Sequence, residues 1–163
     1  MTPAAYINSL PVAAARSALA RCCGARHWVD AMVAARPFAS DAELLATAER
    51  VWWGLGRVDW LEAFAAHPRI GDRVGAGMDW ERREQGGADG AAEATRAALS
   101  QGNATYEERF GHVFLISATD KTADEMLGAL RGRLTNDPVT ELRVAAEEQA
   151  KITRLRLHKL VAS

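Results

Sequence analysis

The chain has 163 residues, 48% of them hydrophobic and 25% charged, which indicates one ordinary globular domain over residues 1–163. The net charge of −1 gives no reason to expect a nucleic-acid partner or an anionic membrane surface. No apolar stretch approaches the roughly 20 residues that span a bilayer, and the N-terminus lacks the features of a secretory signal, so we expect a cytoplasmic protein.

The first part of the chain predicts helices that are separated by glycine and proline. Ser9, which precedes Leu10-Pro11, is expected to cap a helix from Val12 to Cys22 that stops at Gly24. Further helices are predicted at about Arg26–Ala35, behind the capping box Ser40–Glu43 as far as Gly54, and from Asp59. The adjacent Cys22 and Cys23 are expected to be buried and reduced, because a disulfide between neighbours strains the peptide that joins them.

The second part begins with a polar, glycine-rich stretch, Gly71–Gly90, that contains one short turn at Asp79–Gln85. Helices are then predicted over Ala91–Ser100, from a capping residue Asn103 to Phe110, from the capping box Thr122–Glu125 to about Leu134, and from Pro138 nearly to the end. Val113–Ile116 is β-prone, but no partner strand is evident, so it is expected to be an extended buried segment. The pattern predicts an all-α, single-domain bundle of about eight or nine helices.

His67 is the most informative residue of the sequence. It directly precedes Pro68, which pushes the preceding residue out of the helical region and ends the apolar helical run there. The imidazole is therefore expected on a stiff turn, where it can serve as an acid or a base near neutral pH. The alternative is that His67 only caps the preceding helix.

The turn at Asp79–Gln85 carries three side chains that a polar ligand could use. On a helical turn, Glu81, Glu84 and Gln85 can share one face. A carboxylate beside a carboxamide offers one acceptor-only group and one group that both donates and accepts. A solvated, charged turn is the alternative.

Arg156 interrupts an apolar row of the last helix, four residues after Ile152 and four before Leu160. A guanidinium in that position must reach solvent or find an anion. It could bind a substrate carboxylate with two parallel hydrogen bonds, or it could pair with an acidic side chain of the protein.

Phe114, Leu115, Ile116, Ser117 and Ala118 form the end of the β-prone run. An extended backbone beside a cleft offers N–H and C=O groups that could bind a ureido or imide ligand. The alternative is that this run is simply part of the core.

These motifs together resemble one enzyme family, OHCU decarboxylase, which converts 2-oxo-4-hydroxy-4-carboxy-5-ureidoimidazoline (OHCU) to (S)-allantoin in urate breakdown. The resemblance covers nearly the whole chain in order. It rests on Cys22-Cys23-Gly24, Arg36-Pro37-Phe38, Asp59–Phe64, the His-Pro-Arg-Ile-Gly-Asp motif at 67–72, Glu84-Gln85, Asn103, Tyr106, Phe110-Gly111 and Lys151–Leu157.

The resemblance implies roles for individual residues. His67 matches the catalytic histidine, and Glu84 and Arg156 match an acid and an arginine of the family's site. Substrate contacts are implied for Pro68, Glu81, Gln85 and the backbone of Phe114, Leu115, Ile116, Ser117 and Ala118. The resemblance also implies an all-α homodimer with no metal and no organic cofactor, acting on OHCU as substrate and giving (S)-allantoin as product.

Glu81 departs from the family pattern, which has a serine at this position. A second carboxylate beside Glu84 should raise the pKa of one of the two if both are buried, and it could repel the substrate carboxylate. Either Glu81 turns outward or the substrate preference has changed.

Two other classes of function remain open from the sequence alone. One is a metal-dependent hydrolase that uses His67, Asp72, Glu84 and His112, although their spacing follows no known ligand pattern. The other is a helical binding or interaction module that keeps the scaffold but has altered or lost catalysis.

Overall fold

A computed structural model describes residues 1–70 and 89–161, with the side chains of the second range described from residue 93. Within these ranges all regular structure is helical, which confirms the all-α prediction. The helices are α1 (Pro3–Ser9), α2 (Val12–Ala20), α3 (Arg26–Ala35), α4 (Asp41–Gly54), α5 (Arg57–Ala65), α6 (Asp89–Phe110), α7 (Ala123–Arg133) and α8 (Pro138–His158), followed by a 3-10 turn at Lys159–Val161.

The chain forms two compact units, each with its own internal contacts. The first unit is Met1–Ala66 with the chain from Gln149 onward, and the second unit is His67–Glu148. That residues 1–163 act as one domain stays a prediction. None of the helices in the described ranges is long and apolar enough to cross a membrane.

In the first unit, α3 is the central helix and contacts α2, α4 and α5. Its Trp28 is fully buried, and the indole Nε1 donates to the carbonyl of Ala48 on α4 over 3.1 Å. Cys22 and Cys23 are both buried and without a disulfide, as predicted. Burial raises the pKa of each thiol to about 11, so both are protonated at neutral pH.

The start of the chain corrects one prediction. Ser9 does not cap α2 but is the last residue of α1, and its hydroxyl donates to the carbonyl of Tyr6 over 2.7 Å. The N-cap position of α2 is Pro11, which forms no side-chain cap, whereas α1 is capped by Thr2, whose hydroxyl accepts from the amide of Ala5. This short helix is also held from a distance, because Asp41 accepts from the amide of Ala4 over 2.8 Å.

Other boundaries in the first unit agree with the prediction or lie close to it. α3 has the predicted bounds, and Ser40 caps α4 by accepting from the amide of Glu43. The Glu43 carboxylate accepts from the amide of Ala39 rather than from that of Ser40. α5 begins at Arg57, two residues before the predicted Asp59.

In the second unit the predicted break at Gly102 is wrong. α6 runs through it without interruption, and Asn103 is a buried residue of the helix interior rather than a cap. Gly102 has a packing reason: a Cβ there would lie 2.5 Å from Leu130 Cδ2 of α7. Glycine has a low helix propensity, and the close packing of α7 that it permits at this position compensates for that cost.

The segment predicted to be extended and buried forms neither helix nor strand and is largely buried, and the predicted start of the following helix is confirmed. Residues 113–118 have no regular secondary structure, and Phe114, Leu115 and Ile116 are buried. α7 opens with the predicted capping box, in which Thr122 and Glu125 each accept from the other's amide, at 3.1 and 3.0 Å.

Candidate active site

His67 lies on an irregular turn just after α5. The helix ends at Ala65, and the following residues, up to Ile70, have no helical structure. The proline at 68 cannot donate a backbone hydrogen bond and restricts the residue before it, so the turn is local in origin. His67 itself is half-buried, as a side chain that meets a small ligand should be.

Two polar contacts tie this turn to α6. The Nδ2 of Asn103 donates to the carbonyl of Ile70 over 2.6 Å. The guanidinium of Arg69 donates to both carboxylate oxygens of Glu107, with Nε–Oε2 at 2.7 Å and Nη2–Oε1 at 3.0 Å. The turn is therefore fixed to a long helix at two neighbouring points.

The extended segment Phe114–Ala118 is held by side chains of α7 and α8 and by Lys121, which precedes α7. The Nη1 of Arg133 donates to the carbonyl of Leu115 over 2.8 Å. The Oε1 of Glu148 accepts from the amide of Ser117 over 2.9 Å. Lys121 donates to the carbonyl of Ser117 over 2.9 Å. The backbone of the segment is thus fixed on both sides of Ile116.

Arg133 is the centre of a buried charged network. Its Nε and Nη2 donate to Glu141 Oε2 over 2.9 and 2.6 Å, and its guanidinium lies 4.6 Å from the centre of the Phe114 ring. The hydroxyl of Tyr106 also bonds to Glu141, and Asn136 donates to its other oxygen. Burial is the main reason that the pKa of Tyr106 lies well above its usual range.

One hydrophobic cluster joins the two predicted segments. Ile70, which follows the His67 turn, belongs to the same buried cluster as Phe114 and Ile116, together with Leu99 and Tyr106 of α6. The second unit therefore builds the turn and the extended segment on one apolar core.

Arg156 lies in the first unit, near the end of α8. Its side chain is exposed, and Nη1 donates to the carbonyl of Arg21 over 3.2 Å. It has thus found a backbone acceptor, and this contact holds it against the chain just before the two cysteines.

Three predicted site residues, Glu81, Glu84 and Gln85, lie outside the described residues, and so does Asp72. Among the described residues no three histidine, cysteine, aspartate or glutamate side chains are grouped as metal ligands. His112 packs as an aromatic residue, stacked on Phe110 with the ring centres 6.3 Å apart.

Sequence reasoning missed the residues that support these segments. The acid of the network, Glu141, is suited by position to interact with the dipole of the last helix, yet it is fully buried and paired with Arg133. The two residues stand on different helices with a turn between them, so no helical spacing reveals the pair. Asn103 and Tyr106 do belong to the motifs that carry the resemblance, and this was the one signal available.

Comparison with known proteins decides the family. Residues 8–158 match the OHCU decarboxylase family. The chain belongs to the OHCU decarboxylase family. Its members are decarboxylases of urate degradation, so the predicted enzyme class and pathway are confirmed at the level of the family.

Individual relatives differ in length. The uric acid degradation bifunctional protein TTL of Arabidopsis thaliana is 40% identical over 146 residues, which are 85% of this chain but only 45% of that protein. The 2-oxo-4-hydroxy-4-carboxy-5-ureidoimidazoline decarboxylase of Haloferax volcanii is 31% identical, with 83% of this chain and 82% of the relative covered.

A crystal structure of OHCU decarboxylase in the presence of (S)-allantoin has the same fold. Its TM-score is 0.77 at 34% identity, and the match covers 88% of this chain and 96% of that chain. The resemblance thus extends over nearly the whole of a solved decarboxylase.

Proposed function

We propose that this chain decarboxylates OHCU to (S)-allantoin without a metal or an organic cofactor. The observation that supports this most strongly is the match to a decarboxylase crystallised with (S)-allantoin, which covers 96% of that chain. The half-burial of His67, on a turn that is bonded to α6, supports its role as the acid–base group of the reaction.

The chemistry needs no added electron sink. When the bond to the carboxylate breaks and CO2 leaves, its electron pair stays on the ring carbon. The neighbouring imine or carbonyl of the ring takes up that charge, which is the task that pyridoxal or thiamine performs elsewhere. The carbon that lost CO2 becomes the ring carbonyl as its hydroxyl releases a proton. A proton adds to the neighbouring, ureido-bearing carbon from one face, and the choice of face sets the (S) configuration.

The protein has to orient the carboxylate, stabilise the developing charge and manage the proton. In this proposal Arg156 orients the anionic substrate, and His67, assisted by Glu84, contacts its hydroxyl and carboxylate and handles the proton. Gln85 and the backbone of residues 115–118 bind the ureido group and the ring amides, and Pro68 contributes a backbone contact.

The extended segment suits a binding role because it is already ordered. Arg133 and Glu148 hold Leu115 and Ser117 from two helices, so the backbone has little freedom left to lose when a ligand binds. Binding groups that are fixed in advance lower the entropic cost of recognition.

We also propose that the enzyme is a cytoplasmic homodimer. Light scattering coupled to size-exclusion chromatography tests the assembly: a mass near twice 17.6 kDa is expected, and a monomer at micromolar concentration contradicts it.

The direct test is the His67→Asn variant, assayed by circular dichroism for (S)-allantoin formed from freshly generated OHCU. We expect turnover to fall by about 10²–10⁴-fold, the usual contribution of a general acid–base group. His158→Asn is the matched control, because this histidine is exposed near the end of α8. A folded His67→Asn variant with wild-type turnover removes His67 from the mechanism.

Glu81→Ser tests the departure from the family pattern. If Glu81 repels the substrate carboxylate, the serine variant should lower KM and raise turnover. Unchanged kinetics indicate that the Glu81 side chain does not face the substrate.

A further inference from the structure

One face of α6 contacts the turn that carries His67. Leu99, Asn103 and Glu107 are spaced four residues apart, so they lie above one another on the helix. Leu99 belongs to the same buried cluster as Ile70, Asn103 bonds to the carbonyl of Ile70, and Glu107 pairs with Arg69. Three residues on one face of α6, one helical turn apart, thus support Arg69 and Ile70 of the turn.

Asn103 is an unusual residue for the interior of a packed helix. It is only 2% exposed, and its Oδ1 has no hydrogen-bond partner among the described residues. Burying an unpaired acceptor costs free energy, and an apolar side chain would avoid that cost. The gain at this position is the bond from Nδ2 to Ile70, which fixes the backbone of the turn.

Glu107 adds a bond that is directional as well as charged. Two parallel hydrogen bonds join it to the guanidinium of Arg69, so both side chains have a defined orientation. The side chain of Glu107 is 23% exposed and that of Arg69 is 59% exposed, so water screens the charges of this pair and its contribution lies mainly in the fixed geometry.

The chain between these anchors and His67 is short and stiff. Pro68 has a fixed φ and also limits the backbone of His67. Holding Arg69 and Ile70 therefore fixes the direction in which the imidazole leaves the backbone.

We propose that Asn103 and Glu107 are positioning residues for His67: they hold the Arg69–Ile70 backbone so that the imidazole stands in its reactive orientation. This inference rests on the proposed function, because it takes His67 as the group that manages the proton. A displacement of about 1 Å at a catalytic group can reduce the rate by up to 10²-fold, so the effect on turnover should be large.

The test compares Glu107→Gln and Asn103→Ala with Glu108→Gln, an exposed neighbour on the same helix. We expect both positioning variants to lower kcat by about 10–100-fold with a smaller change in KM, since Pro68 lies on the released turn but the other proposed binding groups do not. Glu108→Gln should match the wild type. The double variant Arg69→Glu/Glu107→Arg should recover part of the kcat that Glu107→Gln loses.

A second readout does not depend on turnover. The imidazole signal of His67 can be assigned among the four histidines by its loss in His67→Asn, using nuclear magnetic resonance. It should move in both positioning variants and stay in place in Glu108→Gln. If Asn103→Ala does not fold, the kcat and the His67 signal of Glu107→Gln are sufficient for the test.

The outcomes separate this inference from the proposed function. A wild-type protein that does not convert OHCU contradicts the function, and the His67 signal still tests the positioning. A folded Glu107→Gln variant with wild-type kcat overturns the inference, whether or not the signal moves. A lowered kcat with an unmoved signal also overturns it, since the loss then arises elsewhere.

Discussion

Two turns of this molecule, residues 36–38 in the first unit and 67–70 in the second, use a proline, an arginine and an asparagine from a nearby helix. In the first turn Asn8 donates to the carbonyl of Phe38 and accepts from its amide, both at 2.8 Å. Arg36 donates to the carbonyls of Ile7 and Leu10, at 2.9 and 2.7 Å. Both ends of the carboxamide are used.

In the second turn the asparagine bonds in one direction only. Asn103 donates to Ile70, while its Oδ1 has no partner among the described residues, and Arg69 binds the carboxylate of Glu107. The comparison suggests that the first turn is built for stability alone. The second keeps a costly buried group at the place where a histidine must be oriented, and stability is commonly sacrificed at functional sites.

The largest expected effect in a comparison of the two units comes from their ion pairs, one buried in the second unit and one exposed in the first. Glu141→Leu in the second unit leaves Arg133 buried without its partner and should cost about 3–5 kcal/mol of unfolding free energy. Asp30→Asn breaks the exposed pair with Arg16 in the first unit and should cost far less. Urea unfolding measures both, and equal losses would contradict the contrast.

Gly102→Ala places a methyl group against Leu130, next to Asn103, the residue of α6 that bonds to the second turn. Overpacking of this kind costs about 1–3 kcal/mol, which exceeds the roughly 0.5–1 kcal/mol that replacing a helical glycine by alanine gains. Gly128→Ala on α7 is the control: nothing lies within 4 Å of its added Cβ, so it should gain about 0.5–1 kcal/mol. The comparison fails if the two variants shift the thermal midpoint in the same direction.

Asn8→Ala sharpens the comparison of the two asparagines directly. It removes two hydrogen bonds of about 1 kcal/mol each, so unfolding free energy should fall by about 2 kcal/mol. The kcat per folded molecule should stay unchanged, in contrast to Asn103→Ala. A selective loss of kcat in Asn8→Ala would mean that the first turn also serves catalysis.

The smallest effect is the pH dependence that the buried thiols give the first unit. The pKa of Cys22 rises from 9.0 to about 11 on folding, because burial disfavours the thiolate. Above pH 9 the unfolded chain loses this proton and the folded chain keeps it, so stability is full below pH 9 and falls as the pH rises towards 11. Between pH 8 and pH 10 the unfolding free energy of Cys22→Ala should fall by about 1 kcal/mol less than that of the wild type. Parallel losses in urea titrations would show that the thiol is not protected.

Local signals in the sequence predict much of the fold. The bounds of α3 and the capping box of Thr122 and Glu125 follow from residues that act within a single turn. Ser9 and Gly102 mislead because tertiary contacts decide there. Asp41 supports α1 from a distant part of the chain, and Leu130 makes glycine the fitting residue within α6.

The candidate site divides in the same way. His67 can be singled out from Pro68 and the end of the apolar run alone, and the buried extended segment follows from its β-prone composition. The side chains that hold His67 and this segment in place cannot be identified from such local signals. Asn103, Arg133 and Glu148 act on backbone groups 18 to 33 positions away, and no periodic pattern records such a contact.

The row Leu99, Asn103 and Glu107 has a consequence for how this chain can diverge. Inserting or deleting one residue between Asn103 and Glu107 would rotate one against the other by about 100° around the helix axis, so both could no longer face the same turn. Exchanges at the outward positions 104 and 108 leave that register intact. The length of α6 between Leu99 and Glu107 should therefore be far less variable than the composition of its exposed positions.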